Sequence, residues 1–159
     1  MRKAIFMLVF CLAGVSAASG AIAQTNTYGP SITLETAKKV AAKAAEVAQK
    51  NQYRVAIAIV DTGGHLVYFE KLDDTQIASV EVAIAKARSA NNYKRETRVF
   101  QDGVAAGRTA LLGLAGAVPL EGGIPLVQDG RVIGAIGVSG VTAEQDGQVA
   151  SAGARSLSE

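Results

Sequence analysis

The chain is poor in the residues that carry redox, metal or covalent chemistry. Among 159 residues there is one cysteine, two methionines, one histidine and no tryptophan. The cysteine and both methionines, with Phe6 and Phe10, lie in the opening stretch, where Met1-Arg2-Lys3 precedes an apolar run from Ala4 to Val15 and a small-residue end, Ala21-Ile22-Ala23. A charged start, a short apolar middle and a small-residue end describe a secretory signal peptide over residues 1–23, with cleavage before Gln24. A spanning helix needs about 20 apolar residues. Ser16, Ser19 and Gly20 interrupt this run too early for that, and no later segment is long enough. The expected product is a periplasmic or secreted chain with no membrane span.

Without the leader, no Cys, Met or Trp remains, which excludes disulfides, thiolate catalysis, Cys-ligated zinc and thioether ligation. Neither sign of charge dominates. Arg2 and Lys3 leave with the leader, and the remaining basic residues number 14, level with 14 acidic ones. No nucleic-acid partner is expected from such a balance. About 136 residues are left, the size of a single domain with a real core. Residues 24–31 read as a flexible N-terminal segment, and residues 32–157 as the domain.

What is present is strongly patterned. From Thr33, an N-cap, Leu34, Ala37, Val40, Ala41, Ala44, Val47 and Ala48 recur at helical spacing as far as Lys50. Arg54 to Val60 is a strand apolar at both parities, hence central in its sheet and covered on both faces. Asp61-Thr62-Gly63-Gly64 turns it into a return strand from His65 to Leu72. Ser79 is placed to cap a second helix running to about Asn92, and Thr97 to start a short one. Ile124 to Gln128, then Asp129-Gly130, then Arg131 to Ser139 form a hairpin with a type I′ turn, its first strand demoted to an edge by Pro125. Thr142 and Gln145 make a capping box for a last helix from about Ala143 to Leu157. The order helix, hairpin, helices, strands, helix predicts an α+β fold, a mostly antiparallel sheet with helices packed against it.

A family resemblance is carried by the helix opening Ile32-Thr33-Leu34, by Val60-Asp61-Thr62-Gly63-Gly64-His65-Leu66, by Ala83-Ile84-Ala85-Lys86-Ala87, and most specifically by Gly122-Gly123-Ile124-Pro125-Leu126 with Gly134 to Gly140 and Glu144-Gln145-Asp146. On these the chain resembles the GlcG/HbpS-like family of small proteins over Ile32 to Leu157. The resemblance implies a profilin-like fold, a homo-oligomer and, for some members, heme bound at or near subunit contacts. It does not by itself settle function.

With Met and Cys gone, an iron ligand has to come from His65 or from Tyr28, Tyr53, Tyr68 or Tyr93. His65, just past the Gly63-Gly64 turn, is the natural candidate, although a lone histidine there also reads as a plain turn residue. Tyr68 and Arg88 are expected beside it. Arg88, with Lys94, Arg95 and Arg98, offers charge-assisted donors for propionates, or else a solvated basic cluster. Only six aromatic residues remain, too few for a large pocket within one subunit. A second candidate is a corner of Gly123, Ser139, Gly140 and Thr142, where a glycine-rich strand end runs into a capped helix start and free N–H groups favour an anion. A different class of function, an enzyme acting on a small organic acid, would draw on Asp61, His65 and Lys86 for acid-base work. A third is a ligand-free accessory subunit, consistent with the alanine-rich helix faces. The leading expectation is an exported homo-oligomer that binds heme or a related tetrapyrrole for capture, storage or sensing.

Overall fold

Residues 27–158 are described by the computed structural model. The expected signal peptide and Gln24 to Asn26 lie outside the described residues. Helix α1 (Leu34–Lys50) begins as its sequence requires, with Thr33 in extended geometry and its hydroxyl accepting the Thr36 N–H. Strands β2 (Ala56–Asp61) and β3 (Leu66–Lys71) form the first hairpin. Helices α2 (Ser79–Tyr93) and α3 (Arg98–Ala105) follow, then a 3-10 turn at Thr109–Gly113. Strands β4 (Gly123–Gln128) and β5 (Arg131–Ser139) make the second hairpin, and α4 (Ala143–Arg155) closes the fold. Asp129 and Gly130, with φ of 51° and 72°, supply the positive backbone angles of a type I′ turn. The Thr142/Gln145 capping box is formed in both directions.

The sheet runs β4-β5-β2-β3, all antiparallel. A short strand β1 (Thr27–Tyr28) adds in parallel to the start of β5, making the sheet mixed. Of the expected flexible segment, the described part from Thr27 is in contact with the sheet. The Gly29 and Ile32 amides donate to the Val132 and Ile133 carbonyls at 2.8 Å, so the segment from Thr27 is strapped to the sheet. A polar, glycine-bearing sequence carried no hint of that, because the bonds are backbone to backbone.

β2 is central, as its double parity demands, and it separates two unlike interiors. Ile57 and Ile59 face α1 and α4 with Val40, Leu126, Ile136, Val138 and Val149. Ala56, Ala58 and Val60 face α2, whose Ala83, Ala87 and Ala90 meet them with Ala135. The α2 side is built from the smallest side chains, and the helix lies close to the strands. At Gly137 a Cβ would strike the Ala83 carbonyl and sit 3.0 Å from the Ala87 Cα. The result is three layers: α1 and α4, the sheet, then α2.

Two helix starts depart from the sequence reading. Ser79 is the first helical residue, and its buried hydroxyl pairs with Ser139 at 3.3 Å instead of capping. Thr97 makes no cap bond either. Its hydroxyl donates to the Leu120 carbonyl at 2.6 Å and accepts the Gly123 N–H at 2.9 Å, pinning the loop to the sheet edge. Both hydroxyls found tertiary partners that local sequence does not show. Among the described residues no helix is long and apolar enough to cross a membrane.

Candidate functional site

The turn between β2 and β3 is held from inside by Asp61. Its Oδ1 accepts the backbone N–H groups of Gly63 and His65, both at 2.9 Å, in the manner of an Asx turn. Gly64 takes φ +78°, a backbone state suited to glycine. The turn presents the His65 ring outward, its side chain 84% exposed, with Nδ1 3.4 Å from Asp61 Oδ1. Gly63 is what lets the ring lie there: a Cβ at that position would be 2.7 Å from Nδ1. The Asp61 carboxylate therefore lies on the Nδ1 side of an exposed ring.

From α2, the Arg88 Nε donates to the Gly64 carbonyl at 3.1 Å and the Asn91 amide donates to the Thr62 carbonyl at 3.0 Å. Lys94 lies 5.3 Å from the centre of the Tyr28 ring. An imidazole with an open nitrogen and two cations therefore share one end of the molecule. Tyr68 does not join them. It pairs with Ile59 and packs on the α1 face of the sheet, and its hydroxyl donates to Glu70 at 3.2 Å. Burial, reinforced by the Glu70 charge, pushes that hydroxyl above the ordinary tyrosine range, which disfavours the tyrosinate a metal would want.

The acid-base trio of Asp61, His65 and Lys86 is not assembled. Lys86 is 2% exposed, and its ammonium is locked to Asp146 Oδ2 at 2.7 Å and to the Val138 carbonyl at 3.0 Å. The spacing of α2 makes Lys86 look like an ordinary outward lysine. Only the packing shows that the stem passes the sheet edge to reach α4. Gly122 and Gly123 are the slot for it: a Cβ on Gly122 would be 2.9 Å from the Lys86 Nζ, and one on Gly123 would strike the Lys86 carbonyl.

The same pair disposes of the anion corner. The Val141 N–H is bonded to Asp146 Oδ1 at 3.2 Å, the Thr142 N–H to Gln145, and the Gly123 N–H to Thr97. Ser139 is buried against Ser79, and Gly140 backs onto the Arg54 carbonyl. Asp146 itself places a carboxylate at this helix start, and the Gly123, Val141 and Thr142 N–H groups are already bonded within the chain. Burial raises the Asp146 carboxyl above the usual carboxylate range, against the pull of the Lys86 ammonium. Among the described residues no group of three or more His, Cys, Asp or Glu side chains is placed to hold a metal ion.

The domain that carries this geometry is similar to known proteins. GlcG from Escherichia coli K12 is 41% identical over 108 residues, covering 68% of this chain and 81% of its own. The structure of HbpS superposes with a TM-score of 0.74 at 33% identity, over 84% of this chain and 94% of that one. The heme complex of PduOC gives 0.70 at 29% identity, over 78% and 93%. The family model described as "Haem degrading protein HbpS-like" matches residues 32–155, which is nearly the whole described domain, and the chain belongs to that HbpS-like family.

Proposed function

We propose that this chain is an exported heme-binding protein in which His65 supplies the axial ligand, acting in capture, storage or sensing of heme or a related tetrapyrrole. The observation that carries the reading is the His65 ring itself: the chain's single imidazole, propped on Gly63, backed by Asp61 and open on its Nε2 side. The donor set fits heme, because a neutral imidazole suits the iron and Arg88 and Lys94 suit its carboxylates. The solved PduOC complex, which contains heme and shares this fold, supports the same ligand class.

When bound, heme would supply a redox-active iron; the chain's part is to hold and orient it. An imidazole as exposed as His65 forms a ledge without a second wall. The missing cover is a second copy of the chain, in keeping with a homo-oligomer. The alternative of an organic-acid enzyme loses its ground with Lys86 sealed against Asp146.

The test is a hemin titration of the chain expressed from Gln24 onward, followed by the Soret band. Saturation at a fixed stoichiometry, with the band shift lost in His65→Ala and kept in Tyr68→Phe, is the expected result. Unsaturable binding that ignores His65 would overturn the reading. Following the saturated band over time with ascorbate separates holding heme from breaking it down.

A further inference from the structure

The N-terminal strap is tied to the turn that carries His65. Tyr28 donates its hydroxyl to the Asn91 carbonyl at 2.8 Å, and the Ser31 hydroxyl meets that of Thr62 inside the turn. Asn91 is the hub. It is 1% exposed, its carbonyl takes the bond from Tyr28, and its amide nitrogen donates to the Thr62 carbonyl at 3.0 Å. Backbone bonds from Gly29 and Ile32 to β5 fix the strap's own course, and Lys94 lies against the Tyr28 ring. The turn therefore rests on two supports besides Asp61: the strap through Thr62, and α2 through Thr62 and Gly64.

We infer that Tyr28, Ser31 and Asn91 are positioning residues for His65, and that the strap belongs to the ligand site although most of it precedes the residues matched by the family model. The inference rests on the reading of His65 as a ligand, and deepens it. A turn held only by Asp61 could rotate as a unit. A turn clamped at Thr62 from the strap and at Gly64 from α2 has one orientation, which lowers the ordering cost of binding a flat, rigid ligand.

The experiment uses the chain from Gln24 with Tyr28→Phe combined with Ser31→Ala, and separately Asn91→Ala. Amide exchange at Gly63, Gly64 and His65 and the ring resonance of the single histidine are read without ligand, and hemin affinity is read beside them. We expect exchange at the turn to rise by about tenfold in the double variant, with the Ala58 and Val138 core amides unchanged, as the loss of two hydrogen bonds implies. The His65 resonance shifts or broadens, and hemin binding weakens by a similar factor. Unchanged turn amides and an unchanged His65 resonance would overturn the inference, and so would protection lost equally at Ala58 and Val138, which marks general destabilisation. If the unsubstituted chain binds no hemin, the heme reading fails, while the exchange and resonance data still decide the role of the strap.

Discussion

Lys86 and Asp146 are the residues whose removal should be felt most. Both are almost fully buried, and among the described residues each is the other's only charged hydrogen-bond partner. Replacing one member of a buried pair leaves the other charge uncompensated, which typically costs about 3–5 kcal/mol. Lys86→Met should lower the urea midpoint by that measure, and Lys86→Met with Asp146→Leu should recover much of it. Persistent full loss in the double variant would show that packing, not charge, was at stake. The pH dependence has a definite sign. Because burial raises the Asp146 carboxyl, the folded chain holds that proton more tightly than the unfolded one. This group's contribution is fully present below the unfolded value and is lost as pH rises through the folded one. Urea melts across that window should show the wild type gaining on Asp146→Asn as pH falls. Little of this was legible in the sequence. Lys86 was visible as a polar residue on an apolar helix, but its partner lies 60 positions away and no local pattern links them. The exposed place of His65 just past the Gly63-Gly64 turn was legible, because the turn residues Asp61 to Gly64 are local in sequence.

At the scale of elements, the starts of α1 and α4 and the two hairpins follow local rules and should fail by local rules. Thr142→Ala removes the hydroxyl that accepts the Gln145 N–H and breaks the reciprocal box, at a cost of about 1 kcal/mol. The thin α2 interface behaves differently. Gly137→Ala adds only a methyl group, yet that methyl has no room beneath Ala83 and Ala87, and overpacking of this kind costs about 1–3 kcal/mol. A midpoint unchanged in Gly137→Ala would mean that α2 can lift from the sheet. The glycines at 122, 123 and 137 show in sequence only as small residues at or near strands. They are sites where helix backbone and a lysine stem touch the sheet, a distinction that depends on what sits opposite each one.

For the whole molecule, the three layers leave the His65 turn at one end of the sheet, flanked by the strap and the end of α2. The open ledge there sets an expectation about assembly. Light scattering of the chain from Gln24 should give a mass above one copy, and hemin affinity should fall on dilution below the association range. Concentration-independent affinity in a monomer would require a single subunit to cover the ligand by itself.

Periodicity, turn chemistry and capping residues, all local, determined the helices, the two hairpins, the central place of β2 and the prominence of His65. Tertiary structure alone decided that Lys86 is sealed by Asp146, that the helix start at Thr142 is supplied with an internal anion, that Tyr68 faces away from Arg88, and that Thr27 to Ser31 clamp the His65 turn. The physical reason is shared by all four. Each depends on a partner distant in sequence, and burial and hydrogen bonding are properties of the pair, not of either residue.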